Sequence, residues 1–518
     1  MSAMTASSRR SEESPWKGLG EKFNRALAAP QMNYKVIMTV TVILVFIGLT
    51  MVLSSSMVSI TNDGDGIAVF TEFLRQAAVV AIGLVGMWLF LRVRPETVRR
   101  FSPVLLLIAF ILLVLVLIPG IGVGGAEVGS NSWIRIGGVG IQPSEVAKFS
   151  LAVWGAAVIA ARSRSYTTTL SVMLPFFLVS GVFLVLVILQ NDLGMMLSLG
   201  SVMIALVFFA GASGMLLLGI AVLGAGGAVL LSLAHSFRSS RFSSWYETFT
   251  LSFSEETSRG ASYQSKQGIF SLADGGLIGQ GLGQSRAKYY LPEATNDFVF
   301  AIIGEELGLI GAGLVVVLFG LLAWFGLRTA MAQSDPFLRL LAAALTMGIT
   351  IQAFYNIGYV VGLFPMTGVQ LPLISAGGSS AIVTLASLGL LASIARHEPK
   401  TISSMQHEGR PLIDRLLFLR EPKPYTPGQQ QRDRVREQPR RYGEPVTRPR
   451  QPAGEHERAR ATPRATTGST PRGTRGRGAR EAVPPPRPRR SQGPQGPQGP
   501  QGPQGPQGTN DKQRHRRR

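Results

Sequence analysis

SPVLLLIAFILLVLVLIPGI, residues 102–121, runs for twenty residues without a charge, the length an α-helix needs to cross about 30 Å of hydrocarbon. Comparable apolar runs lie near 35–56, 73–93, 143–161, 169–189, 193–210, 215–235, 298–327, 338–363 and 374–396. With the quoted run they predict an all-α polytopic membrane protein of ten transmembrane helices. Residues 193–235 form one apolar stretch interrupted at Gly211-Ala-Ser-Gly214, a length that suits two helices and a tight turn better than one span.

Composition agrees. Of 518 residues, 46% are hydrophobic and only 16% charged, which excludes an ordinary soluble enzyme. There is no Cys, so disulfides, thiolate metal sites and cysteine nucleophiles are excluded. The five His (His235, His397, His407, His456, His515) are too scattered for a His-metal site. Chemistry is left to carboxylates, amides, hydroxyls, Lys and Arg.

The net charge of +21 is unevenly placed. Residues 397–518 hold 27 basic against 11 acidic side chains, and residues 1–396 hold 24 against 19. The basicity belongs to a tail, and nucleic acid is not an expected partner. From about residue 421 the chain is Pro, Arg, Gly, Gln and Thr, a composition that cannot offset chain entropy by burial and predicts disorder. Five Gln-Gly-Pro triplets (Gln492 to Pro506) have the collagen period but are too short a run to predict a triple helix. Leu412, Ile413, Leu416, Leu417 and Leu419, bracketed by Arg410, Arg415 and Arg420, suit a short helix at the membrane surface. The rest of the tail reads equally as a tether attracted to anionic membrane lipids or as a docking arm for an acidic cytoplasmic partner.

Arg9, Arg10, Lys17, Lys22 and Arg25 precede the first span with no cleavage-like site after it, which predicts an uncleaved cytoplasmic segment, 1–34. Arg92, Arg94, Arg99 and Arg100, then Arg162 with Arg164, and Arg328 with Arg339, fall in alternate loops on the same side. The core is then 35–396, residues 236–297 are a long extracytoplasmic loop between helices 7 and 8, and 397–518 is a disordered cytoplasmic tail.

Ionisable groups at membrane helices are costly and mark function. Asn131-Ser-Trp-Ile-Arg135 is followed by Gln142-Pro143-Ser144-Glu145-Val-Ala-Lys148, where Glu145 and Lys148 share a helix face and neutralise each other. Arg135 leaves a positive charge suited to phosphate. Asp192, in Gln190-Asn191-Asp192-Leu193-Gly194, either caps helix 6 or contacts substrate or metal. The long loop carries Tyr263-Gln264 and Gln267, then Gly275, Gly276, Gly279, Gly281 and Gly283. No strand precedes these glycines and no GK[ST] follows, so nucleotide binding is rejected in favour of close backbone packing. Leu291-Pro292-Glu293-Ala-Thr-Asn296-Asp297 leads into Gly304-Glu305-Glu306-Leu-Gly308. Asp297, Ala301, Gly304 and Gly308 share one helix face, with the carboxylate at its outer end. Phe364-Pro365 to Pro372 and Ser375-Ala-Gly377-Gly378-Ser379-Ser380 form the last outer loop and the opening of helix 10.

In their order these stretches resemble the signatures of the SEDS family (shape, elongation, division and sporulation), across about residues 34–396. The Leu291-Pro292-Glu293-Ala294 form is more similar to division-type than to elongation-type members. The resemblance implies a peptidoglycan glycosyltransferase that polymerises lipid II on the outer face of the cytoplasmic membrane at the septum, with a single-pass penicillin-binding transpeptidase as partner. It also implies that Asp297 is the essential acid and that Arg135, Glu145 and Lys148 line the same polar cavity. The substrate-binding set read from these stretches is Arg135, Gln142, Ser144, Glu145, Lys148, Asp192, Gln264, Glu306 and Ser379. Two stretches depart from the family pattern. Asn191 stands where a proline is usual, and Thr295 and Asn296 replace a histidine and a threonine, so a base at that histidine position is excluded. Glycosyl transfer with loss of pyrophosphate needs a base and positive charge; Asp297 either takes the proton or holds a divalent cation, Mg or Mn. Arg135 and Lys148 are the natural phosphate partners. A lipid II flippase and a non-catalytic scaffold whose basic tail recruits division-machinery proteins are the competing readings.

Overall fold

The computed structural model describes residues 29–56, 66–124, 130–136, 139–163, 169–233, 236–252 and 261–423. The N-terminal cationic cluster, Asp63 and Asp65, Arg164, and the tail beyond 423 with its Gln-Gly-Pro triplets lie outside the described residues.

The chain opens with α1 (Met32–Ser56), α2 (Gly66–Arg92) and α3 (Pro95–Leu115). Pro95 starts α3 at a position whose N–H has no intrahelical partner to lose. Three short strands, β1 (Gly122–Val123), β2 (Trp133–Ile136) and β3 (Val139–Ile141), then pair antiparallel in that order. The all-α expectation missed this sheet, because strands of two to four residues carry no readable alternation. After it come α4 (Pro143–Arg162), α5 (Thr169–Leu189), α6 (Leu193–Phe209) and α7 (Gly214–Leu233). The residue 193–235 stretch is thus two helices, turned at Gly211, as its interruption predicts.

The described parts of residues 236–297 carry two helices: α8 (Ser236–Phe249) and α9 (Ala261–Gly275) precede a glycine-rich segment and a 3₁₀ turn at Ala287–Tyr289. The core closes with α10 (Val299–Ala332), α11 (Pro336–Val360) and α12 (Gly378–Arg396). Beyond it α13 (Pro399–Glu408) and α14 (Leu412–Leu416) bury Ile402, Met405 and Asp414, so the tail expected to be disordered from 397 is instead folded over this stretch, where apolar residues are still available to bury. Among the described residues eight helices have the length and apolarity to cross a membrane, while α6 and the Gly214–Gly224 part of α7 are shorter apolar helices. The protein is a multi-pass membrane protein; among the described residues eight helices are long and apolar enough to cross and two more are shorter, where ten spans were expected.

Helices α4, α11 and α12 bury most of their surface and form the centre, whereas α2, α3, α5 and α10 leave much of theirs facing outward. With lipid as the competing apolar phase, helices are held by close approach of small residues and by polar pairs. Gly389 on α12 shows the first: a Cβ there would sit 2.4 Å from the carbonyl oxygen of Met87 on α2.

Helix α10 is broken at Gly308, whose φ of 66° and ψ of −167° are open essentially to glycine alone. The glycine-rich segment fills the break. Leu309 and Ile310 N–H donate to the carbonyls of Gly276 and Leu277 at 2.9 and 3.2 Å, and Gln280 and Gly281 N–H donate to those of Glu305 and Glu306 at 2.9 and 3.0 Å. The expected role of these glycines, close backbone packing, is what the structure shows. Gly308→Ala would bring its Cβ within 2.4 Å of Gly279 N and 2.5 Å of Leu277 O. We expect it to cost at least about 2 kcal/mol, read as a lower midpoint of thermal unfolding in detergent. Gly313→Ala, with nothing within 4 Å of its Cβ, should stay within about 0.5 kcal/mol of wild type.

Candidate active site

Asp297 is the last polar residue before α10 and is half-buried. Its position is set through its backbone: the side-chain amide of Asn356 and the hydroxyl of Tyr359, both on α11, donate to its carbonyl oxygen at 2.9 Å each. The Asn356 amide also donates to Val369 O at 2.7 Å, and the single Tyr359 proton is shared with that carbonyl, 2.9 Å away, so one pair of polar side chains joins the α10 entry to the last outer loop. That loop is stitched on further. Ser375 Oγ donates to Asn296 O at 2.6 Å, and Ala376 N–H to Thr295 O at 2.9 Å. The carboxylate of Asp297 reaches toward Gly368, where an added Cβ would lie 3.4 Å from Oδ2.

Asp192 caps α6, accepting from Met195 N–H at 2.9 Å, and its other oxygen accepts from the Gln142 amide at 3.2 Å. Of the two roles held as alternatives on sequence, the structure shows the cap, and the same side chain also links α6 to the start of α4. Its neighbour Gly194 packs on Thr367 O and the Val369 side chain, which sets Asp192 beside the loop that carries Gly368. Burial, then the nearby carboxylates of Glu293 and Asp192, push the Asp297 carboxyl up to about 7, against the opposing pull of Arg241. Asp192 is also raised by burial, opposed by its hydrogen bonds and by Arg241.

Below them Gln142 N–H donates to Ser379 Oγ at 2.9 Å, tying the start of α4 to α12. Glu145 and Lys148 form the expected pair at 2.7 Å, both buried. Ser380 donates to Glu145 at 3.2 Å, Lys148 donates closely to Gln352 Oε1, Ser198 donates to that same oxygen at 3.1 Å, and Gln352 donates to Gln370 O at 3.1 Å. The pair thus binds α4, α6, α11 and α12 at their centre. Ser144 is buried on the same turn.

The remaining expected site residues sit on other elements. Arg135 is exposed on β2, opposite Gly140. Gln264 is half-buried on α9. Glu306 is fully buried and accepts from Ser54 Oγ at 2.6–2.7 Å, with Lys288 Nζ 3.8 Å away. Glu305 accepts from Ser271, Ser285 and Arg286 N–H at 2.6–2.7 Å. These two carboxylates fasten the glycine-rich segment to α10 and α1, a separate cluster from Asp297.

Sequence reasoning missed Gln352 and Asn356, although amides inside an apolar span are a readable signal. It also missed Arg241 on α8, a polar residue in a polar stretch with nothing to mark it. Only folding brings its charge to the two aspartates.

The raised Asp297 group makes a stability prediction. Unfolded, an aspartate ionises near 3.8; here it holds its proton until about 7. Above pH 7 it is charged in both states and the folded protein bears the desolvation cost; below pH 3.8 it is neutral in both and the cost vanishes. Asp297→Asn should therefore stabilise the protein at pH 8 by about 1 kcal/mol, allowing for partial solvation, with the gain fading toward pH 4 in thermal unfolding.

Residues 34–400 match the model of the cell cycle protein family that comprises FtsW, RodA and SpoVE. The chain is 39% identical over 454 residues, 87% of its length and 82% of the relative's, to proteins of Mycobacterium bovis and Mycobacterium tuberculosis named probable peptidoglycan glycosyltransferase FtsW. It is 37% identical over 360 residues to stage V sporulation protein E of Bacillus subtilis, covering 69% of this chain and 95% of that one. Among solved structures, a point mutant of the Thermus thermophilus rod shape determining protein RodA shares the fold at 24% identity and a TM-score of 0.51, over 70% of this chain and 97% of that one. A chain from a peptidoglycan synthase complex, whose structure concerns the coordination of polymerization and crosslinking, aligns with a TM-score of 0.54 at 24% identity, over 69% and 97%. The chain belongs to the FtsW/RodA/SpoVE family of cell cycle proteins.

Proposed function

We propose that this protein is a peptidoglycan glycosyltransferase that polymerises lipid II into glycan strands on the outer face of the cytoplasmic membrane during division. The observation that carries the reading is Asp297: a carboxyl group fixed through its own backbone, close to neutral pH in its titration, beside a second aspartate and a guanidinium. Relatives named for this activity, at 39% identity over most of both chains, support it.

In this reading the attacking sugar hydroxyl loses its proton to Asp297 as its oxygen bonds to the anomeric carbon of the other lipid-linked sugar. The bond from that carbon to the pyrophosphate oxygen breaks, and the lipid pyrophosphate departs with the electron pair. A group titrating near 7 is a serviceable base at physiological pH, since it is substantially ionised yet still basic. Arg241 and the exposed Arg135 are the proposed partners of the leaving phosphates. Glu145 and Lys148, satisfied by each other, Ser380 and Gln352, hold α4 in register with α11 and α12. They carry Gln142, and through it Asp192, into place.

A divalent cation remains part of the proposal in one form. In that form Asp297 is a ligand in place of the base: among the described residues no three His, Asp or Glu side chains converge to cage an ion, and a divalent cation would be held by Asp297 together with substrate phosphates, as Mg²⁺ commonly is, where it would neutralise phosphate charge. Both termini are proposed to be cytoplasmic and the protein to work at the septum with a single-pass penicillin-binding transpeptidase.

The test is glycan-strand formation from labelled lipid II by the full-length protein with that transpeptidase. Wild type should make polymer, with a rate that climbs as pH rises through about 7, where Asp297 ionises. Asp297→Ala, still folded, should lose at least about 100-fold. Equal polymer from both would remove Asp297 from the chemistry, and none from either would favour lipid II translocation or a scaffold.

A further inference from the structure

The last described stretch, residues 409–423, is far in the sequence from every residue of the candidate site, yet its backbone is held tightly. Asp414 is fully buried; it pairs with Arg396, the last residue of α12, at 2.7 Å and accepts from the Tyr34 hydroxyl at 2.8 Å. The indole of Trp88 donates to Leu417 O at 3.0 Å, Arg92 to Phe418 O at 2.9 Å, Arg410 to Leu419 O at 3.0 Å and Arg396 to Arg420 O at 2.8 Å. Four consecutive carbonyls are thus fixed, three of them by the ends of α2 and α12, and Leu419 is buried beneath them.

On that anchored backbone the large apolar side chains point outward. Leu412, Leu416 and Phe418 are 75%, 76% and 78% exposed. Phe418 does so at a φ of 51°, a conformation unfavourable for a bulky residue. Arg410, Arg415 and Arg420 are exposed among them. A solvated tether has no reason to be fastened by a buried ion pair while displaying three large apolar groups.

We propose that residues 409–420 form a fixed interfacial anchor whose occupant is the lipid leaflet: Leu412, Leu416 and Phe418 enter the boundary of the acyl region, and Arg410, Arg415 and Arg420 meet anionic headgroups. Lipid, and not a protein partner, is the occupant because the patch continues a surface that already faces lipid. On α2 the exposed Ile82, Val85 and Leu89 lead along the helix to Trp88 and Arg92, and those two bind the Leu417 and Phe418 carbonyls. The Arg92 guanidinium also lies 4.0 Å over the Trp88 ring; Trp is enriched at membrane–water interfaces and Arg in the cytoplasmic loops next to them. Charge agrees, since basic side chains bracketing an apolar edge match the anionic cytoplasmic leaflet. The anchor holds residues 409–420 at the membrane surface.

The absence of cysteine allows a direct test. Leu412→Cys, Leu416→Cys, Phe418→Cys and, as the control, Arg415→Cys replace exposed side chains in the full-length protein, so folding should survive. Each is spin-labelled in nanodiscs holding one chain, and collisions with oxygen are compared with those of a water-soluble nickel chelate. Labels at 412, 416 and 418 should favour oxygen several-fold over the label at 415 in anionic discs, with a smaller preference in zwitterionic ones. Water-like ratios at all three sites would overturn the anchor. So would shielding that appears only with two chains per disc, which would put a second copy on this face. Shielding indifferent to lipid charge would overturn the headgroup contact of the arginines.

Discussion

A backbone group that leaves a helix inside a bilayer must find another partner, because hydrocarbon offers none. The break at Gly308 shows how much follows from this. Helix α10 gives up its regular ladder for one residue, and the freed groups of Glu305, Glu306, Leu309 and Ile310 are taken up by the segment from Gly276 to Gly281. That exchange turns the glycine-rich segment from a connection into part of the core. It also sets the first two turns of α10, and therefore Asp297 just before them, at a fixed place and angle. Glu305 and Glu306 complete the joint by holding Ser285, Arg286 and Ser54.

Charges inside the molecule divide by what surrounds them. Glu145 with Lys148, Glu306 with Lys288, and Asp414 with Arg396 are buried beside an opposite charge or a hydroxyl. Such pairs add little net stability, but losing one partner strands a buried charge, so they specify how helices meet. Asp297 differs. Its backbone is held and its carboxylate is left among other acids and Arg241, the condition under which a carboxyl group keeps an affinity for protons near neutral pH. Rigid placement with adjustable protonation is what proton transfer requires.

The outer loop Phe364 to Gly377 is where these two kinds of polar group meet. Asn356 and Tyr359 reach the carbonyls of both Asp297 and Val369, and Gln352 reaches Gln370 O while also accepting from Lys148 and Ser198. The central ion pair and the outer aspartate are thereby connected through α11, about one helical turn from Gln352 to Asn356.

Much of this was legible in the sequence. Uncharged runs of about 20 residues can be little but membrane helices, because the bilayer fixes their length. The interruption at Gly211 marked the α6–α7 turn, and the spacing of Glu145 and Lys148 marked their pair, since both depend only on local geometry. Asp297 stood out because a carboxylate at a membrane helix is costly wherever the rest of the chain goes. The tertiary structure alone decided that the glycine-rich segment fills the break at Gly308, that Glu306 belongs to that joint and not beside Asp297, that Arg241 reaches the aspartates, and that Asp414 clamps the chain beyond the last span. Each of these joins residues far apart in sequence, through hydrogen bonds and charges that act only at a few ångströms, and periodicity along a chain carries no information about which distant groups folding will bring within that range.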